Sequence, residues 1–186
     1  MAVVIIFVSR NNEGKESPEI ISVTPDILEE LNKQTPGITK IELETAVEIG
    51  KLAPDFQTQT YDGKNVRLSD FRGKKPVFLN FWAGWCPFCV EEMPLMAQVQ
   101  EKFQNQYITL AVNRAESLKT AKKFSDQVGV TNRLLVILDL DDNVYRLFNG
   151  FAMPYSIFID KGGVIRDIKL GPLQQEELEE KIKKIL

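Results

Sequence analysis

The chain contains no histidine and only two cysteines in 186 residues. Without histidine there is no Cys-His protease, no Ser-His-Asp hydrolase and no histidine-ligated copper site. Covalent haem attachment at Cys-x-x-Cys-His is excluded as well, because Val90 stands where that motif needs its histidine. Two cysteines are half of a tetrahedral structural zinc site, so a zinc site would have to be shared between two chains. Nor is there a dense run of lysine and arginine. The net charge of -3, from 23 basic and 26 acidic residues, gives no electrostatic footprint for nucleic acid. No glycine-rich dinucleotide loop occurs, and no organic cofactor is implied.

A long hydrophobic run is missing too. Ala2 to Val8 is apolar but far shorter than the roughly 20 residues that span a bilayer. No basic segment precedes it, so it is not a complete signal peptide. It reads either as the tail of a membrane anchor or as an N-terminal strand. The abrupt passage into polar Ser9 to Lys15 favours the anchor, with residues 11 to 19 as a flexible tether.

What is present is concentrated at Trp85-Cys86-Pro87-Phe88-Cys89. The preceding run, Pro76 to Trp82, is short, apolar and aromatic, which suits a buried strand, and Val90 to Val99 reads as a helix. Proline suits the first helical position, where its missing N-H would be unpaired anyway. Cys86 then falls at the N-cap and Cys89 at the third helical position. A sulfur at the N-cap lies beside unpaired N-H groups and the positive end of the helix dipole, which favour the thiolate. Cysteines so placed have pKa values lowered from about 8.5 to roughly 3.5 to 7.5. Cys86 is therefore the candidate nucleophile, and Cys89, one turn inward, the thiol that resolves a mixed disulfide. A purely structural disulfide is the alternative, although so short a loop stabilises little through chain entropy.

Elsewhere the pattern is that of one globular domain, with 44% hydrophobic residues for its core. Residues 1 to 49 are an extension holding an amphipathic segment, Ile27 to Lys33, and an alternating stretch, Ile38 to Glu44. From residue 50 a hairpin is predicted over Phe56 to Leu68, turning at Asp62-Gly63. After the cysteine helix come a strand (107 to 112), a helix (117 to 127), a strand (134 to 138) and a short helix (143 to 148). A second hairpin spans 156 to 168 and an amphipathic helix 174 to 185. Strands alternating with helices imply an α/β sheet with parallel pairs, finished by an antiparallel hairpin.

Four pieces of the chain, in this order, carry a resemblance to a known family: Gly50-Lys51-Leu52-Ala53-Pro54-Asp55-Phe56, Leu68-Ser69-Asp70-Phe71-Arg72-Gly73-Lys74, Asn80 through Cys89, and Met153-Pro154 ahead of a strand ending Ile159-Asp160. Residues 50 to 186 resemble the thioredoxin superfamily, and within it the TlpA/ResA-like thiol-disulfide oxidoreductases. The resemblance implies a thioredoxin-like α/β fold, a central mixed sheet flanked by helices, with an N-terminal hairpin and an inserted helix-strand element over 117 to 138. It implies a redox-active Cys86-Cys89 disulfide and no other cofactor. Pro154 matches the family's cis-proline, which leaves the backbone of Met153 free to dock an extended substrate; otherwise Met153 is a core methionine. Trp82 and Trp85 would flank the cysteines, with core packing as the alternative for Trp82, and Pro87 and Phe88 would join Trp85 in contacting the substrate.

Two positions depart from better-known members. Thioredoxins carry a buried aspartate where this chain has Asn80, which cannot titrate. ResA-like members carry a glutamate matching Glu92, which would assist deprotonation of Cys89 or else be an ordinary solvated helix residue. Pro87-Phe88 differs from the dipeptides of both groups, and such residues tune redox poise. The direction of electron flow is left open by that dipeptide. The overall resemblance implies a reductant of extracytoplasmic disulfides, of the cytochrome c maturation type, with a weakly oxidising or general reductase role as the alternative. Its place would be the outer face of the cytoplasmic membrane or alternatively the cytoplasm. Its partners would be protein thiols and disulfides and a second dithiol protein. Two rivals are a peroxiredoxin-like peroxidase, in which Cys89 attacks peroxide, and a Cu(I) carrier that uses the soft dithiolate alone.

Overall fold

Residues 3–10, 16–23 and 44–186 are described by the structure, a computed structural model in which the chain divides into two units, Met1–Leu43 and Glu44–Leu186. In the first unit, β1 (Val3–Arg10) pairs antiparallel with β2 (Glu16–Val23), Val3 opposite Val23 and Arg10 opposite Glu16. Both segments are rich in β-branched residues, which favour extended backbone. Val3 to Val8 of the apolar run lie in β1. Of the tether expected over 11 to 19, Glu16 to Glu19 instead pair with β1, and residues 11 to 15 lie outside the described residues. The amphipathic segment Ile27 to Lys33 and all but the last residue of the alternating stretch at 38 to 44 lie outside the described residues.

The second unit takes in Glu44 to Ile49 as well. The Gly50 N-H donates to the Ile165 carbonyl and the Leu52 N-H to Glu44, and Leu52 bridges Val164. Its strands are β3 (Gln57–Thr60), β4 (Asn65–Arg67), β5 (Val77–Trp82), β6 (Ile108–Arg114), β7 (Leu135–Asp139), β8 (Tyr155–Ile159) and β9 (Ile165–Leu170). Its helices are α1 (Pro87–Lys102), α2 (Leu118–Gln127), α3 (Asn143–Leu147) and α4 (Gln175–Lys183). The strands form one sheet in the order β4-β3-β7-β6-β5-β8-β9. β5, β6 and β7 are parallel neighbours and the remaining pairs are antiparallel. Parallel neighbours need a crossover, and α1 and α2 supply the two that this sheet requires. The segment at 117 to 138 is therefore woven into the sheet, since β7 pairs with both β6 and β3.

Strand alternation decides which side of β5 meets which layer. Phe78 and Trp82 pack with Met93 and Met96 of α1, Ala121 of α2, and Leu178 and Ile182 of α4. Val77, Leu79 and Phe81 face the other way, toward Phe56, Leu68, Tyr145 and Phe148. A strand buried on both faces reads as a continuous apolar run, as this one does. Its one polar member, Asn80, falls between Phe78 and Trp82 and so points to the α1 side. Each fully buried Phe or Leu side chain contributes about 1.5–3 kcal/mol, which makes β5 a rigid base for the loop that follows it.

Candidate active site

The C-terminal ends of the parallel strands and the start of β8 lie at one edge of the sheet, because β5 runs parallel to β6 and Phe81 faces Tyr155 on antiparallel β8. The loops at 83 to 86, 115 to 117 and 149 to 154 gather there. Cys86 caps α1: its backbone is extended (φ -94°, ψ 102°), Pro87 takes the first helical turn, and the Cys89 N-H donates to Cys86 Sγ at 3.3 Å. The two sulfurs are joined in a disulfide with a Cα–Cα separation of 5.3 Å. Cys89 is fully buried and Cys86 nearly so, whereas Trp85 and Phe88 are 64% and 57% exposed. The dithiol is thus reached from outside through Cys86, past an aromatic rim. Trp82, by contrast, is wholly interior.

Glu92 follows Cys89 by three residues and shares the inward face of α1. It is 4% exposed. One carboxylate oxygen accepts from Asn80 Nδ2 at 2.8 Å and the other from the Leu173 backbone N-H at 2.9 Å. Asn80 Nδ2 also donates to Ser156 Oγ at 3.0 Å, which ties strand, helix and hairpin together. Burial pushes the Glu92 carboxyl up to about 7, against the opposing pull of the Leu173 N-H and the Asn80 amide. The carboxyl consequently changes charge near neutral pH. It is not a solvated helix residue.

On the other side of the site, the Met153–Pro154 peptide is cis. Pro154 is buried and Met153 half-buried against both core clusters. Among the described residues, Met153 makes no backbone hydrogen bond. The loop before it is held by Tyr145, whose hydroxyl donates to the Ala152 carbonyl at 3.0 Å. Phe151 in that loop is 78% exposed, the most exposed of the large apolar side chains among the described residues. Sequence reading did not single it out; an aromatic residue two positions ahead of Met153 was the available signal. Among the described residues, no group of three or more His, Cys, Asp or Glu is arranged to hold a metal ion.

A cysteine pair at a strand-to-helix junction on a mixed sheet, with a cis-proline at the same edge, defines a thioredoxin-like thiol-disulfide oxidoreductase. The AhpC/TSA family model matches residues 49–168, and the chain belongs to that family. It is 37% identical over 142 residues to the thiol-disulfide oxidoreductase ResA of Geobacillus kaustophilus, covering 76% of this chain and 80% of that protein. A putative thiol:disulfide interchange protein DsbE from Chlorobium tepidum superposes with a TM-score of 0.67 at 33% identity, covering 74% of this chain and 97% of that one. The exposed lipoprotein thioredoxin Etrx1 of Streptococcus pneumoniae superposes with a TM-score of 0.59 at 27% identity, covering 70% of this chain and 98% of that one.

Proposed function

We propose that the protein reduces disulfides of extracytoplasmic polypeptides, with Cys86 as the attacking thiolate, Cys89 as the resolving thiol and Glu92 as the acceptor of the Cys89 proton. Cys86 Sγ attacks one sulfur of the substrate disulfide, forming a mixed disulfide and releasing the first substrate thiolate. Cys89 then passes its proton to the Glu92 carboxylate and attacks Cys86 Sγ. The second substrate thiolate leaves, and the electron pair of the dithiol has moved to the substrate. The observation that carries the division of labour is the position of Cys86 Sγ at the helix N-cap, accepting the Cys89 N-H, with Cys89 buried behind it. A carboxyl that titrates near neutral pH suits proton transfer in either direction.

The unpaired backbone of Met153 beside Pro154 suits an extended substrate strand, and Trp85, Pro87 and Phe88 offer it an apolar rim. Reduction of a disulfide such as that of an apocytochrome c follows the TlpA/ResA-like resemblance, with electrons supplied by another dithiol protein. An outer-face location is supported by the likeness to an exposed lipoprotein. The peroxidase reading is opposed by the complete burial of Cys89, the cysteine that would have to meet peroxide. Trapping tests the proposal. Cys89→Ser should accumulate a mixed disulfide through Cys86 with a reducible protein substrate, and Cys86→Ser should accumulate none; a mixed disulfide through Cys89 would reverse the assignment.

A further inference from the structure

The loop that presents Cys86 is fastened to the β6–α2 segment by one side chain outside the cysteine helix. Glu116 Oε2 accepts the backbone N-H of Gly84 at 2.8 Å and Asn113 Nδ2 at 2.7 Å. Gly84 lies two residues before Cys86, and the Cys86 N-H in turn donates to the Ala83 carbonyl at 3.1 Å. The Glu116 bond therefore closes onto the turn that sets the N-cap. The chain bends to make this contact: Ala115 adopts φ 52°, a left-handed conformation that residues bearing a Cβ take only rarely. Its own N-H is held by the Asp139 carbonyl at 2.9 Å, at the neighbouring strand end. From the same segment Phe124 of α2 packs against Gly84 so closely that a Cβ there would lie 2.1 Å from its ring. Carboxylate and ring thus bracket one glycine from one structural element.

We propose that Glu116 is a positioning residue for the Cys86 nucleophile, fixing the 83 to 86 loop so that the sulfur stays on the N-cap of α1. The proposal rests on reading Cys86 as the attacking thiol. The carboxylate touches neither sulfur nor substrate and acts through the Gly84 N-H. The β6–α2–β7 crossover then serves the chemistry as well as the sheet, since it carries the Glu116 carboxylate bonded to the loop, the Asn113 amide bonded to that carboxylate and the Phe124 ring packed on Gly84.

The test is the rate of alkylation of reduced Cys86 by iodoacetamide at neutral pH, normalised to folded protein, in the wild type, Glu116→Ala and Glu116→Gln. Loss of a hydrogen bond to a charged acceptor predicts a fall of about tenfold in the alanine variant. The glutamine variant keeps an acceptor oxygen for Gly84 and should recover to within about twofold of wild type. Alanine at the wild-type rate overturns the proposal. So does glutamine as slow as alanine, because charge rather than position would then be at work. A second measurement stands independent of any variant: the Gly84 amide should be protected from hydrogen exchange in the native protein, and exchange at the rate of an open loop would also overturn it. Preferential alkylation of Cys89 in the wild type would instead sink the assignment of the attacking thiol.

Discussion

Replacing Glu92 with glutamine should stabilise the protein above neutral pH and remove a fall in stability that the wild type shows between about pH 5 and 8. The carboxyl titrates at about 7 in the folded chain against 4.5 for the unperturbed group, and burial is the cause. A folded value above the unfolded one means the native state binds the proton more tightly, so stability is greatest with the group protonated and declines as pH rises toward 7. At roughly 1.4 kcal/mol per pH unit, the ionised group costs the fold about 3 kcal/mol at alkaline pH, and about 2.5 kcal/mol of that appears between about pH 5 and 8. Glutamine stays neutral. Its oxygen can accept the Leu173 N-H, and its amide can donate to Asn80 Oδ1, which has no partner when Asn80 donates to the carboxylate. Urea unfolding of the disulfide form at four pH values, read as the difference between variant and wild type, cancels the carboxylates elsewhere. A difference that grows with pH by about 2–3 kcal/mol is expected. Parallel curves would refute the argument that Glu92 ionises in a dry site, and with it the case for Glu92 as proton acceptor.

Three further outcomes follow from the geometry. Gly84→Ala should lower stability by about 1–3 kcal/mol in thermal melts, because the new Cβ would meet the Phe124 ring at 2.1 Å. Asp139→Ala should cost about 1–3 kcal/mol, because the buried carboxylate accepts the Val144 and Tyr145 N-H groups at 3.0 and 2.8 Å and both would be left bare. Trp85→Ala should leave stability within about 0.5 kcal/mol while raising KM for a protein disulfide about tenfold, which steady-state reduction of a protein substrate would read.

The cysteine junction was legible because its signals are local. An apolar strand, a proline at the first helical turn and three-residue cysteine spacing all fall within fourteen consecutive positions, 76 to 89. The strand and helix succession from Gln57 onward was legible for the same reason, and observed boundaries such as Leu118–Gln127 and Tyr155–Ile159 fall within a residue or two of those read from hydrophobic periodicity. The surroundings of Glu92 were not legible. Its partners are Asn80 on the preceding strand and the Leu173 N-H, 81 residues away, and no spacing rule connects them. Sequence showed that Asn80 cannot titrate; only the fold shows its amide donating to the carboxyl that does. Glu116 was missed likewise, since its bond to Gly84 spans 32 residues and depends on the left-handed turn at Ala115. The pairing of Val3–Arg10 with Glu16–Val23 is likewise a contact that composition does not encode.

The most direct test of the central claim is redox equilibration of the Cys86/Cys89 pair against glutathione and dithiothreitol buffers, with Trp85 fluorescence as the readout. A dithiol that passes electrons to other disulfides should show one two-electron transition with a potential near or below about -250 mV. A transition near about -150 mV would contradict the reductive direction, and a pair that never closes an intramolecular disulfide would contradict the dithiol mechanism itself.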